Sequence, residues 1–224
     1  MELSTETMQI LKNFASINSN FVIKPGNTLM TVAEAKNILC SANVDESFEK
    51  ITGIYDLNEF LNVLNLVDKP NVYFTDQYAR VCDSTGRAEV KYYYSDPDML
   101  TYPSKVISMP SAEVKFTLDQ STLNNIKRAA AALGHSELAI EPSEGCISLT
   151  VMDQENSTSN TYSIEIDGEY DPSAEFKFIL SISNLKMIPS DYEVGISSSL
   201  ISQFSSTESD LTYWVALEKS STYS

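Results

Sequence analysis

Apolar residues recur at helical spacing in four short stretches of the chain and alternate or cluster in brief runs through most of the rest. Residues 4–17 carry Met8, Leu11, Phe14 and Ile17, and residues 56–66 carry Leu57, Phe60, Leu61 and Leu64. Residues 119–133 carry Leu123, Ile126, Ala130 and Leu133, and residues 181–188 carry Ile182, Leu185 and Ile188. Steps of three and four place such residues on one side of a helix. Three of these stretches open on a capping side chain: Ser4, Asp56 (with Glu59 completing a capping box) and Asp119. Pro189 ends the fourth.

The remaining pattern predicts strands. Residues 89–95, 162–166, 176–180, 192–196 and 211–217 are rich in aromatic and β-branched side chains, mostly with alternating polarity. Pro25-Gly26-Asn27, Ser84-Thr85-Gly86 and Glu144-Gly145 are turn signals between such runs. A strand-rich chain with a few short helices is an α+β arrangement.

The two halves share a layout. Residues 51–54 lead into the 56–66 helix, then Pro70, then a strand at 71–74; residues 176–180 lead into 181–188, then Pro189, then a strand at 192–196. An earlier helix precedes each unit, at 4–17 and 119–133, so the order points to an internal duplication. The expected division is 1–95 for the first domain, 96–110 for a connector and 111–224 for the second. Three prolines in 96–110 favour an extended path. The connector is apolar, with Met99, Leu100, Tyr102, Val106, Ile107 and Met109. It either packs along the domains or presents a docking surface.

Charge changes this picture. Thirty-one acids against fifteen bases give a net charge of −16, which by itself argues against a polyanionic partner. The excess is unevenly placed. The helical segments with their exits (4–17, 56–69, 119–134 and 181–188) hold five bases, Lys12, Lys69, Lys127, Arg128 and Lys186, against five acids, Glu6, Asp56, Glu59, Asp68 and Asp119. Four of those acids stand at helix starts, where the helix dipole favours them. Asn58, Asn62 and Asn65 share the face opposite the leucines of their helix. An Asn/Lys/Arg face tolerates a polyanion without gripping it, although Lys and Asn also populate the outer face of any soluble helix.

Catalytic signatures are missing. The one histidine, His135, lies in a loop, and no phosphate-binding glycine loop, His-Glu-x-x-His or Gly-x-Ser-x-Gly sequence occurs. Asp96-Pro97-Asp98 reads as a turn rather than a metal pair. Cys40, Cys82 and Cys146 are widely spaced, so buried free thiols are expected, with no disulfide framework and no zinc site. No stretch reaches the roughly 20 apolar residues of a membrane span, and the acidic, polar start is unlike a signal peptide. Cytoplasmic location, no cofactor and a non-enzymatic role are expected.

Several blocks resemble one known family. Leu11-Lys12-Asn13-Phe14-Ala15-Ser16-Ile17-Asn18-Ser19, with Met30-Thr31 following, is similar to the start of the DNA polymerase sliding clamp of large tailed bacteriophages. Ile54-Tyr55-Asp56-Leu57-Asn58-Glu59-Phe60-Leu61 resembles its second helix entry, and Asn184-Leu185-Lys186-Met187 its fourth helix. Val215-Ala216-Leu217-Glu218 resembles its last strand. The resemblance implies two similar domains, each with two short helices backed by antiparallel β-sheets, assembled head-to-tail as a homotrimeric ring. That ring would act as a processivity factor, encircling duplex DNA without sequence preference in the cytoplasm of an infected bacterial host. Implied partners are the phage DNA polymerase, a clamp-loader ATPase and late-transcription proteins.

On that resemblance, Lys12, Lys69, Lys127, Arg128 and Lys186 would face DNA. Met99, Leu100, Tyr102, Val106 and Ile107 would form the pocket for partner peptides. Lys91, Tyr92, Tyr93 and Tyr94 of one subunit would pair by strand addition with Tyr162, Ile164 and Ile166 of the next. Two other readings of the residues stay open. One is an acidic phage structural or assembly protein with a duplicated α+β fold; the other is a small hydrolase whose carboxylates converge only in space.

Overall fold

A computed structural model describes every residue of the chain except Val106 and Ser157. The chain folds as two units, Met1–Val106 and Ile107–Ser224. Helices α1 (Thr5–Ile17) and α2 (Leu57–Asn65) belong to the first unit and α3 (Gln120–Leu133) to the second.

In the first unit, α1 buries Ile10, Leu11, Phe14 and Ile17, and α2 buries Leu57, Phe60, Leu61 and Leu64, so the expected apolar faces are the packed ones. Phe14 meets Phe21 edge-on at 5.9 Å and Phe60 meets Tyr92 at 5.2 Å. Each such fully buried side chain contributes about 1.5–3 kcal/mol. The strands are β1 (Phe21–Ile23), β2 (Gly26–Val32), β3 (Ile38–Phe48), β4 (Thr52–Ile54), β5 (Asn71–Phe74), β6 (Tyr78–Cys82) and β7 (Glu89–Tyr93). β1 pairs with β4, β2 with β3, and β5-β6-β7 form a meander, all antiparallel. Pro25 has no amide hydrogen and Gly26 sits at φ +115°, so a single run of β-formers is broken into β1 and β2.

The second unit repeats the plan. Its strands are β8 (Val114–Leu118), β9 (Glu137–Ser143), β10 (Cys146–Met152), β11 (Tyr162–Ile166), β12 (Gly168–Glu169), β13 (Phe176–Ser181), β14 (Tyr192–Ser197), β15 (Ile201–Ser206), β16 (Leu211–Ala216) and β17 (Thr222–Tyr223). One sheet runs β11-β10-β9-β13-β17, and β12, β8, β14, β15 and β16 are neighbours in that order in another. β9 pairs with both β10 and β13, the role divided between β2 and β1 in the first unit. β8 pairs with β14; its counterpart in the first unit is a single bridge, Glu2 to Asn71. The shared order of elements supports the duplication.

One expectation is corrected. Residues 181–188 do not form a fourth α-helix: only Ile182–Asn184 turns, as a 3₁₀ helix, and Ser181 makes no side-chain capping bond. An eight-residue segment with β-branched Ile182 and Ile188 and no capping bond offsets less of the cost of helix nucleation than α2, which Asp56 caps. Tertiary bonds hold it open instead. Ile182 donates its amide to the Ser136 carbonyl at 2.8 Å, Ile188 donates to the Tyr213 hydroxyl at 3.2 Å, and the Tyr192 hydroxyl donates to the Ile188 carbonyl. Leu185 and Met187 are both buried, with exposed Lys186 between them, which is an extended alternation.

The connector's first half lies on the first unit. The Ser95 amide donates to the Gly53 carbonyl at 3.0 Å, Pro97–Met99 make a 3₁₀ turn, and Leu100 is buried. Asn18 Nδ2 then donates to the Thr101 carbonyl at 3.1 Å, and Lys24 Nζ to that of Pro103 at 3.1 Å.

Candidate functional site

The helix caps explain how acids can sit on these helices without making their outer faces acidic. Asp119 precedes α3 and accepts bonds from the Ser121 hydroxyl at 2.6 Å and from the amide and hydroxyl of Thr122 at 2.8 and 2.7 Å. Those donors, the Ser121 hydroxyl first, hold its carboxyl down at about 2. Asp56 accepts from the amides of Asn58 and Glu59 at the start of α2. Each charge is spent on its own helix terminus. α1, with Glu6 in its own first turn, also receives an acid from elsewhere: Glu46 of β3 accepts from the Ser4 amide and the Thr7 hydroxyl. Partial burial pushes the Glu46 carboxyl up, but these donors outweigh it and lower it overall. Asp191 likewise reaches the Gln120 amide at 2.7 Å.

Beyond the first turns, the exposed helix faces are free of carboxylates. They are Gln9, Lys12 and Ser16 on α1, Asn62 and Asn65 on α2, and Asn124, Asn125, Arg128, Ala131 and Ala132 on α3, while Glu6 and Glu59 are exposed within the first turns of α1 and α2. Lys12 and Arg128 are exposed. Lys127 is half-buried, and desolvation depresses its ammonium below the usual lysine value. Lys69 is exposed past the end of α2, at φ +48°. Lys186 is exposed too, but on the extended stretch after Asn184 and not on a helix.

The expected pocket residues have different fates. Met99 is 83% exposed, whereas Leu100 is 8% exposed and packs its Cδ1 toward Gly53. Tyr102 is half-buried with the Lys24 ammonium 4.9 Å from its ring centre. Ile107 is 37% exposed and belongs to the second unit, and Val106 lies outside the described residues.

The expected interface residues all fall on sheet margins. β7, with Lys91, Tyr92 and Tyr93, is the outer strand of the β5-β6-β7 meander, and Tyr94 follows it, donating its amide to the Gln77 carbonyl. β11, with Tyr162, Ile164 and Ile166, is the outer strand of its sheet.

A surface that sequence reading missed is an 840 Å³ groove in the second unit, bordered by Met109, Pro110, Lys115, Glu193, Gly195 and Gln203. Ala112 packs closely over Gly195 in its lining; a Cβ on residue 195 would stand 3.1 Å from that of Ala112. A lone glycine inside a predicted strand was the available signal. Among the described residues, no group of three or more His, Cys, Asp or Glu side chains could hold a metal ion.

Relatives agree along the chain. Residues 4–95 match the family model described as DNA polymerase processivity factor, and residues 115–219 match that of the gp45 sliding clamp, C terminal. The chain is 30% identical over 223 residues to the sliding clamp of Vibrio phage KVP40, covering 97% of this chain and 99% of that one. It is 31% identical over 231 residues to the sliding clamp of Escherichia phage RB69, covering 100% and 99%. The fold is shared with A. fulgidus PCNA, solved with the C-terminal region of FEN-1 bound, at a TM-score of 0.66 and 14% identity over 94% of each chain. The duplicated α+β plan and these matches together place the chain in the gp45 sliding-clamp family of DNA polymerase processivity factors.

Proposed function

We propose that copies of this chain close head-to-tail as a homotrimeric ring around duplex DNA and hold the phage DNA polymerase to its template. The single observation that carries this reading is the contrast between helix faces that carry no exposed carboxylate beyond their first turns and a body of net charge −16. A ring that surrounds its substrate needs only weak, sequence-independent phosphate contacts, and strong ones would impede sliding. In each unit the leading candidates to face DNA are exposed cations, Lys12 in the first and Arg128 in the second, followed by Lys69 in the first and Lys127 and Lys186 in the second. The acidic remainder discourages DNA from binding the outside.

The role is non-catalytic: the ring supplies topology, and chemistry belongs to its partners. Edge strands β7 and β11 suit a heterologous interface that closes by rotation. Exposed Met99 and Ile107, and the groove beside Met109, suit short partner peptides with apolar anchors, from the polymerase, a clamp-loader ATPase and late-transcription proteins. The fold shared with a PCNA solved with a bound C-terminal segment supports that mode of docking. The setting is the cytoplasm of the infected bacterium.

Native mass spectrometry with a DNA-retention assay tests the reading. A trimer that stays on circular DNA and leaves once the DNA is linearised is the expected result. A strict monomer at high concentration, or retention that ignores DNA topology, would refute it.

A further inference from the structure

We infer that the second copy pairs with β7 in one register, in which Lys91 of one subunit lies directly opposite Glu165 of the next. The inference rests on the ring reading for the choice of edges; the register comes from the side chains.

Parity removes half of the possibilities. On β7, Val90 and Tyr92 stand opposite buried Val81 and Ala79, while Glu89, Lys91 and Tyr93 point outward, opposite Cys82, Arg80 and Tyr78. On β11, Tyr162, Ile164 and Ile166 stand opposite buried Val151, Leu149 and Ile147, while Ser163 and Glu165 point outward. A one-residue slip would set apolar positions against the solvent face, so outward residues must meet outward residues.

Charge chooses among what remains. Strand pairs in both units are antiparallel. An antiparallel ladder that overlaps both strands can place either Lys91 or Glu89 opposite Glu165, and the second apposes two carboxylates. With Lys91 opposite Glu165, Tyr93 faces Ser163, and Val90, Tyr92 and Tyr94 meet Ile166, Ile164 and Tyr162 on the buried side; Glu89 then comes level with Asp167, which lies past the end of β11 and outside the ladder. Sliding two residues the other way sets Lys91 against Asp167, beyond the end of β11, and leaves most of both strands unpaired.

The subunit also has an imbalance that this register corrects. Lys91 lies directly opposite Arg80, a like-charge pair. Among the described residues, Glu89 is the one carboxylate within ion-pair distance of both, 3.4 Å from Arg80 Nη1 and 3.8 Å from Lys91 Nζ, while Arg80 also lies over the Tyr73 ring and Lys91 over that of Tyr78. Two cations share one carboxylate on the outer face of an edge strand. Glu165 is exposed and accepts from the Ser143 hydroxyl at 2.7 Å, the one bond to its carboxylate among the described residues, so it can supply the missing charge.

The test compares trimer dissociation of the full chain for Lys91→Glu, Glu165→Lys and the double exchange. Each single reversal should weaken association about tenfold at low salt, and the double should return to within about twofold of wild type. A Tyr93→Cys/Ser163→Cys chain should form inter-subunit disulfides on mild oxidation, with the single-cysteine variants as controls. Additive losses in the double exchange, rescue of Lys91→Glu by Asp167→Lys instead, or cross-linking through Lys91→Cys/Ser163→Cys would overturn the register while leaving the trimer standing. A wild-type chain that never trimerises would remove both the register and the ring.

Discussion

The Ser95 amide donates to the carbonyl of Gly53, and the two backbones lie so close that a Cβ on residue 53 would stand 2.3 Å from the Ser95 carbonyl oxygen. The same Cβ would come within 3.2 Å of Leu100 Cδ1. Glycine is therefore the residue that lets the chain leave the β5-β6-β7 sheet and lay the start of the connector over β4. Replacing Gly53 with valine should cost about 2–4 kcal/mol by overpacking against backbone. Urea unfolding measures this directly, and an unchanged midpoint would contradict the close approach.

Lys24 ties the next turn of the connector down. Its ammonium donates to the Pro103 carbonyl at 3.1 Å and covers the Tyr102 ring. Lys24→Met keeps the stem but loses both contacts, at about 1 kcal/mol. Hydrogen exchange should quicken around residues 101–105 while the core strands keep their protection.

Leu100 and Ile107 should respond differently to serine. Leu100→Ser removes a buried side chain and should lower stability by about 2–4 kcal/mol. Ile107→Ser should leave stability nearly unchanged and weaken binding of a polymerase C-terminal peptide. Titration calorimetry beside thermal melts separates the two, and equal peptide affinity in Ile107→Ser would exclude that side chain from the docking surface.

The helix faces predict a graded effect on DNA. Lys12→Glu with Arg128→Glu should shorten processive synthesis and lower the salt dependence of DNA retention by about one counterion per removed cation. Lys219→Glu, on the acidic body, should do neither. Equal behaviour of the two sets in a primer-extension assay would reject the DNA-facing assignment.

Asp119 predicts a pH dependence. Its folded value of about 2 lies below the ordinary 3.8, so its contribution is present above about pH 4 and is lost as pH falls through the folded value. Asp119→Ala should cost about 1 kcal/mol at pH 7 and progressively less toward pH 2. A difference between variant and wild type that stays constant from pH 7 to pH 2 would argue against the cap.

The amino-acid order by itself determined what is local. α1, α2 and α3 were legible because their apolar period and their caps Ser4, Asp56 and Asp119 lie within one short segment each. The strands at 71–74, 162–166 and 192–196 were legible because β-branched and aromatic runs end at turn residues. The neutrality of the helix segments could be counted without coordinates. Tertiary structure alone decided matters that depend on partners distant in the chain. Residues 181–188 have an apolar period compatible with a helix, yet bonds to Ser136, Tyr213 and Tyr192 hold them mostly extended. The carboxylate that accepts from the Ser4 amide at the start of α1 comes from distant Glu46, and the close passage of Ala112 over Gly195 is likewise long-range. β7 and β11 are edges only because no other strand of their own sheets lies beyond them. Edge status, like the opposition of Lys91 to Arg80, is a property of long-range pairing, and sequence periodicity carries no record of which strands become neighbours.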